Sequence, residues 1–434
     1  VILIQDAAVI SHGPVGCSGC LHEYAFTYRV NGVHRGLQQP TQRRIFSTNL
    51  DEEDTVFGGN RKLAEAIRQV HGRTGAKAIF IITTCASGII GDDVEGVANE
   101  AEAELGVPVV AIFCEGFRSK IWTSGFDAGY HGIARKLIPP AVRRQPDLVN
   151  IINFWGADSF TGLLARIGLR PNYITPYATV AGIAQSAEAA ATLQVCATLG
   201  SYLGAALEQV HGVPEIKVPP PYGSLATDRW WRELGRITGR QAQVETLLRE
   251  EREAWLPRIA ELRSRLEGRR AFVTAGAAHG HALVAILREL GMDVAGAAVF
   301  HHDPVYDNGA EASDSLQAVV RDYGDIPGYS VCNKQEFELV NVLRRQRPDI
   351  LLARHGGMTL WGARLGIPSL LVGDEHFGMG YQGLVNYAER ILETMENDEF
   401  VKNLARHAVN PYTDWWLRQD PHHFLEGKPR VVHP

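Results

Sequence analysis

Two cysteines stand where apolar, strand-like runs stop short in turns. Cys17 closes the run Ile10-Ser11-His12-Gly13-Pro14-Val15-Gly16-Cys17. Cys85 follows the apolar stretch Ala78–Thr83 and opens Cys85-Ala86-Ser87-Gly88-Ile89-Ile90-Gly91-Asp92-Asp93. An iron–sulfur cluster needs thiolates held on rigid elements, with backbone N–H groups nearby to soften their charge. Two such loops from one chain could grip opposite sides of one cluster. The remaining cysteines stand at 20, 114, 196 and 332, and for any single cysteine a buried structural thiol is the ordinary role. Cys17-Ser18-Gly19-Cys20 is a CxxC with no second CxxC, which is weak ground for zinc. Six cysteines in 434 residues do not make a disulfide framework.

The elements that must position these thiols alternate between short apolar runs and helix-like segments, the pattern of βαβ units on parallel sheets. Candidate strands are Ala78–Thr83, Val109–Cys114, Val149–Phe154, Ala271–Ala275, Val294–Phe300, Asp349–Ala353 and Ser369–Val372. Arg61–Gly72, Val94–Leu105 and His281–Leu290 carry apolar residues at helical spacing. The fold class expected is α/β, with three Rossmann-like domains over residues 1–145, 146–270 and 271–434. One boundary falls between Pro139-Pro140 and Pro146, the other after a long charged helix ending near Gly268. Pro219-Pro220-Pro221 reads as a stiff connector.

Bulk properties narrow the function. The chain is 45% hydrophobic and 21% charged with net charge -6, ordinary for a globular protein. A mildly acidic balance without a basic stripe argues against nucleic acid. No uninterrupted apolar stretch approaches the roughly 18 residues of a membrane span. VILIQDAAVI reads as a strand from its first residue rather than a signal peptide, so the expectation is a cytoplasmic chain whose natural N-terminal segment precedes Val1. Gly276-Ala277-Ala278-His279-Gly280-His281 does not meet GxGxxG, and Gly58-Gly59-Asn60-Arg61-Lys62 is not a phosphate-binding loop. Neither NAD nor ATP is expected on this chain.

The order and wording of these loops resemble component 1 of the nitrogenase superfamily, and its α subunit in particular. The matching text spans nearly the whole chain: SHGPVGC at 11–17, EEDTVFGGNRKL at 52–63, CASGIIGDD at 85–93, CEGFRS at 114–119 and GIPSLLV at 366–372. The resemblance implies an eight-iron, seven-sulfur P-cluster shared with a β subunit, for which Cys17 and Cys85 match two α-side ligands. The third α-side cysteine is expected upstream of Val1, with Cys20 as a substitute or else an ordinary loop thiol. Cys114 is better taken as a buried strand cysteine. Cys196, in Leu193-Gln194-Val195-Cys196-Ala197-Thr198, matches the cysteine that holds the family's second, active-site cluster of iron, sulfide and carbide. A helix N-terminus there would help to stabilise the thiolate, and a core cysteine is the alternative. At the opposite end of that cluster the family has a histidine. Strict alignment places Gly373 there, His376 is the nearest replacement, and Asp374, Glu375 or an open end remain possible.

Other departures cluster around the same pocket. The lysine that supports the family's organic acid falls in Arg354-His355-Gly356-Gly357, which has none. That points to an iron-only cluster without homocitrate, although the heterometal stays open. The family's glutamine and histidine beside the reactive face correspond to Trp122 and Phe126, and the arginine after HGPVGC corresponds to Ala25. Dinitrogen reduction needs repeated protonation of bound intermediates, whereas an aromatic wall suits a small, weakly polar molecule. His279, His281, His301, His302 or His355 could refill the proton-donor role, though singly each is more often a satisfied structural histidine.

Within the superfamily the chain looks most like the nitrogenase-like methylthio-alkane reductases, on Phe154-Trp155-Gly156, Val331-Cys332-Asn333-Lys334-Gln335 and Arg354-His355-Gly356-Gly357. That likeness implies C–S cleavage in small thioethers such as 2-methylthioethanol or dimethyl sulfide, giving methanethiol plus ethylene or methane. It further implies electrons from an ATP-dependent iron protein and an α2β2 heterotetramer with the β subunit. A nitrogenase α subunit and a non-catalytic cofactor-assembly scaffold are the alternatives. The tetrapyrrole reductases of the superfamily lack the second metal site that Cys196 suggests.

Overall fold

The computed structural model describes residues 1–19, 21, 32, 44–119, 123–152, 158–301, 314–331, 336–354, 356–372 and 379–421. Among them are three sheets, parallel throughout: β2-β1-β3-β4, β6-β5-β7 and β10-β9-β8-β11-β12. The first comprises β1 (Ala7–His12), β2 (Ile45–Ser47), β3 (Ala78–Thr83) and β4 (Val109–Ile112). The second comprises β5 (Gln145–Ile152), β6 (Arg170–Ile174) and β7 (Ala189–Gln194). The third comprises β8 (Arg270–Ala275), β9 (Asp293–Val299), β10 (Tyr329–Val331), β11 (Ile350–Ala353) and β12 (Ser369–Leu371). Against the expected bounds, β4 ends at Ile112 rather than Cys114, and β8, β9, β11 and β12 each move by one residue at one or both ends. The first strand begins at Ala7 rather than Val1, and β5 begins at Gln145 rather than Val149 because Gln145 joins the ladder opposite Ala189.

Contacts divide the chain into two compact units, Val1–Pro220 with Arg229–Arg249, and Pro221–Asp228 with Glu250–Pro434. In the first unit β3 shows why such strands are nearly continuous apolar runs: both faces are covered. Ile79 and Ile81 pack with Ile10 against Leu63, Ile67 and Val70 of the Asn60–Thr74 helix and Val94, Ala98 and Ala101 of the Val94–Leu105 helix. Phe80, on the alternate face, packs with Val9 and Val110 against Tyr130, Ile133 and Leu137 of the Ser124–Lys136 helix. That second core continues into Leu148 and Ile152 of β5 and Leu203 and Leu207 of the Ala197–His211 helix. Each of the buried valine, leucine, isoleucine and phenylalanine side chains contributes roughly 1.5–3 kcal/mol by leaving water. Truncating fully buried Ile67 to alanine would cost about 2–5 kcal/mol.

In the second unit Phe272, Leu343, Leu351 and Ala353 form the core beside β8 and β11. No helix among the described residues is long and apolar enough to cross a membrane.

Candidate functional site

β1 and β3 run in register from Ala7 opposite Ala78 to His12 opposite Thr83, so both chains leave the sheet side by side. In open parallel sheets ligands bind beyond the carboxyl ends of the strands. Past β1, Pro14 leads into a short turn, Val15–Ser18, on which Cys17 is exposed. Past β3, Thr84 caps the Cys85–Ile90 helix by accepting from Ser87 N–H, and Cys85 is exposed at its start.

Close backbone approach holds the two loops together. Thr84 Oγ1 donates to the His12 carbonyl at 3.0 Å, and a Cβ on Gly13 would sit 2.2 Å from that same Oγ1. Only glycine fits at position 13. His12, fully buried, places Nε2 2.9 Å from Asp92 Oδ2 and Nδ1 3.1 Å from Thr48 Oγ1. Thr48 Oγ1 also accepts from Gly13 N–H at 3.1 Å, which leaves its own proton for His12 Nδ1. Asp92 Oδ1 accepts from Gly59 N–H at 2.8 Å. Burial pushes the His12 pKa below its ordinary value, with Asp92 opposing that shift. A neutral imidazole with its proton on Nε2 satisfies all these contacts.

Cys114, just past β4, behaves differently. Its Sγ donates weakly to the Thr83 carbonyl at 3.6 Å, and burial, with Glu115 and Cys85 adding, pushes the thiol up to about 11. It is a neutral thiol in these surroundings. Gly116 lies near Cys85, where a Cβ would come 3.7 Å from Sγ, an ordinary contact. Around the two exposed thiols the segments leaving β1 to β4 present Val15, Phe57, Ile89 and Phe117, exposed by 61%, 81%, 77% and 56%.

The third cysteine lies at the end of β7. Cys196 is buried at the N-cap of the Ala197–His211 helix, in extended backbone, and its carbonyl accepts from Leu199 and Gly200 N–H at 3.1 and 3.0 Å. Tyr130 of the Ser124–Lys136 helix is close enough to feel its charge. Burial raises the Tyr130 phenol well above its ordinary pKa, a hydrogen bond to Thr175 Oγ1 at 3.2 Å opposes this, and Cys196 adds to the rise. Tyr130 also borders a cavity of about 230 Å³ whose walls include Ile82, Ile112, Cys114, Phe126 and Ile133. Phe126 is one of the apolar side chains that line it. Trp122, its expected companion, lies outside the described residues, as do Cys20, Ala25, His302, Cys332, His355 and the whole Gly373–Gly378 stretch with Asp374, Glu375 and His376.

The histidines of the second unit are placed by the Ala277–Glu289 helix. His281 is buried, with Nδ1 2.8 Å from Ser315 Oγ and Nε2 3.0 Å from the Tyr329 hydroxyl, so both ring nitrogens bind neutral partners. His279 is half-buried with its ring edge-on to Tyr222, centroids 6.5 Å apart. His301 lies against Gly276, where a Cβ would come within 3.2 Å of Nε2. His281 thus ties its helix to the Ser315–Tyr323 helix and β10.

Among the described residues no group of three or more His, Cys, Asp or Glu side chains converges as a complete metal site. The exposed thiols of Cys17 and Cys85, at neighbouring strand ends, are donors of the kind an iron–sulfur cluster takes and do not by themselves complete a site. The buried thiol of Cys196 at a helix N-terminus suits a single terminal iron. One residue escaped the sequence reading. Glu215 is pushed up to about 7, by burial first and by Glu208 second, beside the helix that Cys196 caps. Its only trace in the sequence is the pair Gly200 and Gly204 spaced one helical turn apart.

The described residues form three parallel sheets, with Cys17, Cys85, Cys114 and Cys196 just past strand ends. The model of the family described as nitrogenase component 1 type oxidoreductase matches residues 1–396, and the chain belongs to that family. Among relatives, the nitrogenase iron-molybdenum cofactor biosynthesis protein NifE of Methanococcus maripaludis is 29% identical over 408 residues, 90% of this chain and 80% of that one. The nitrogenase molybdenum-iron protein alpha chain of the same organism is 27% identical over 415 residues, 91% and 83% of the two chains. A solved structure titled nitrogenase Cp1 at pH 5 superposes with a TM-score of 0.75 at 21% identity, covering 95% of this chain and 88% of that one.

Proposed function

We propose that this chain is the cluster-bearing α subunit of a nitrogenase-like reductase that cleaves C–S bonds in small thioethers. The observation that carries the reading is Phe126 in the wall of a cavity of about 230 Å³. That volume lies below the usual range for drug-sized ligands, and its wall is apolar at the position where the family carries a proton-bearing side chain. Dimethyl sulfide would take two electrons and two protons to give methane and methanethiol. 2-Methylthioethanol would take the same to give ethylene, methanethiol and water.

Iron clusters, when bound, supply the electrons and a soft metal face for thioether sulfur. The chain's own residues do the rest. Cys17 and Cys85 offer two thiolates on the exposed edge of the first sheet to a P-cluster, and Val15, Phe57, Ile89 and Phe117 give a β subunit an apolar surface to cover. Cys196 holds one end of the active-site cluster, with His376 as the candidate for the other. An ATP-dependent iron protein would deliver electrons to an α2β2 assembly in a reducing cytoplasm.

A cofactor-assembly scaffold is the second reading, favoured by the identity to NifE at 29% beside 27% to the molybdenum-iron alpha chain. The anoxic complex with its sister chain and iron protein, given dimethyl sulfide under ATP turnover, separates the two. Methane and methanethiol in equal amounts support the reductase. No product, together with transfer of a cluster to a cluster-free component 1, supports the scaffold and overturns the reductase.

A further inference from the structure

The helix capped by Cys196 has a groove cut along one face. Positions 196, 200, 204 and 208 lie on that face, one turn apart, and two of them are glycines. A Cβ on Gly200 would sit 2.8 Å from Gln194 Oε1, and a Cβ on Gly204 would sit 2.1 Å from Glu215 Oε1. The groove is therefore filled by a carboxamide followed by a carboxyl. Gln194 Nε2 donates to Glu215 Oε1 at 2.9 Å. Gln194 closes β7 with a bend at Val195 before Cys196, and its Oε1 lies against Gly200, one helical turn from position 196, while its Nε2 reaches Glu215.

The charged groups acting on Glu215 are Glu208 of the same helix and Lys217 of its own segment, which pair at 2.7 Å where the groove reaches solvent. β7 adds only neutral Gln194 and Thr192, the latter bridged to Glu215 by backbone pairing. Burial raises the carboxyl to about 7, so it exchanges its proton near neutrality. Gln194 Oε1, in contrast, is buried without a hydrogen-bond partner. A carboxamide can present either end to a neighbour. Facing a carboxylate it offers N–H, which leaves its oxygen at the Cys196 end. Facing a carboxylic acid it offers C=O, which turns the NH2 group toward the Cys196 end and stabilises negative charge there.

We propose that Glu215 is a positioning residue that takes up a proton as negative charge accumulates on the group held by Cys196, acting through rotation of the Gln194 carboxamide. One proton passes from solvent at the Glu208–Lys217 mouth to the Glu215 carboxylate, and no covalent bond other than that O–H forms or breaks. The inference rests on Cys196 as a cluster ligand, so the test separates the two. In the metal-loaded complex, the midpoint potential of the Cys196-held group is measured across the pH range around neutrality in wild type, Glu215→Gln, Glu215→Asp and Gln194→Leu.

The potential falls as pH rises in wild type, stays flat in Glu215→Gln and Gln194→Leu, and keeps its slope with a displaced inflection in Glu215→Asp. A flat wild-type profile, or a slope retained in Glu215→Gln, overturns the proposal. In the metal-free chain an infrared carboxylic-acid band, absent from Glu215→Gln, titrates near 7. Titration in the ordinary glutamate range overturns the proposal whatever Cys196 holds. Iron retained in full by Cys196→Ala overturns the ligand assignment, and with it this inference. Iron lost there beside an unchanged slope in Glu215→Gln overturns the proton role alone.

Discussion

His12 Nε2 and Asp92 Oδ2 meet at 2.9 Å across 80 positions of sequence, with their side chains 0% and 2% exposed. The contact fastens the loop bearing Cys17 to the loop that follows Cys85. Asp92→Asn keeps the shape but removes the carboxylate that accepts from both His12 and Gly59. Leaving buried partners poorly matched costs about 1–3 kcal/mol. A lower thermal midpoint with a matching fall in bound iron is expected; an unchanged midpoint would show that the pair fastens nothing.

The same histidine gives the fold a pH dependence. Its pKa in the folded chain lies below its ordinary value of 6.5, mainly through burial. The unfolded chain therefore binds the extra proton first, and stability declines as pH falls below that value toward the folded pKa. His12→Gln should flatten this decline in midpoint-against-pH measurements between neutral and mildly acidic buffer. A decline of the same steepness in the variant would assign it to other groups.

Gly13→Ala should be disproportionately harmful for the addition of one methyl. The new Cβ would lie 2.2 Å from Thr84 Oγ1, the atom that both caps the Cys85–Ile90 helix and bonds the His12 carbonyl. Overpacking of this kind costs roughly 1–3 kcal/mol. Denaturant unfolding measures the loss, and a variant within error of wild type would mean that the loops part freely.

The cysteines should sort by environment. Cys85→Ala is expected to lower iron content and weaken association with the sister chain. Cys114→Ala, which removes a thiol raised to about 11 and packed against Thr83, should leave iron unchanged. Iron lost equally from both variants would contradict the sorting.

Phe126→His restores a proton-bearing ring to the cavity wall at the expense of apolar burial. Product formation from dimethyl sulfide is expected to fall on the order of tenfold, equivalent to about 1.4 kcal/mol, with metal content kept. Undiminished thioether turnover would remove Phe126 from the substrate pocket.

Much of the fold was legible because parallel strands buried on both faces are continuous apolar runs. Ala78–Thr83 and Val94–Leu105 have the ends expected of them. Boundaries slipped at Gln145, a polar residue that extends β5, and at Ala277, where small residues with little apolar periodicity start the helix before His281. That Cys17, Cys85 and Cys114 stand at or just past strand ends could be read from the apolar runs, whereas β7, which leads to Cys196, was not among the expected strands. What could not be read are contacts between distant positions: His12 with Asp92, His281 with Ser315 and Tyr329, and Gln194 with Glu215. None of these pairs has a local periodicity, and each exists only once the sheets are assembled.

Metal analysis of the anoxically purified complex with its sister chain, on wild type, Cys85→Ala and Cys196→Ala side by side, bears most directly on the central claim. Wild type should carry two spectroscopically distinct iron clusters, Cys85→Ala should disturb one, and Cys196→Ala should remove the other while sparing the first. A colourless wild-type complex, or loss of the same signal from both variants, would contradict it.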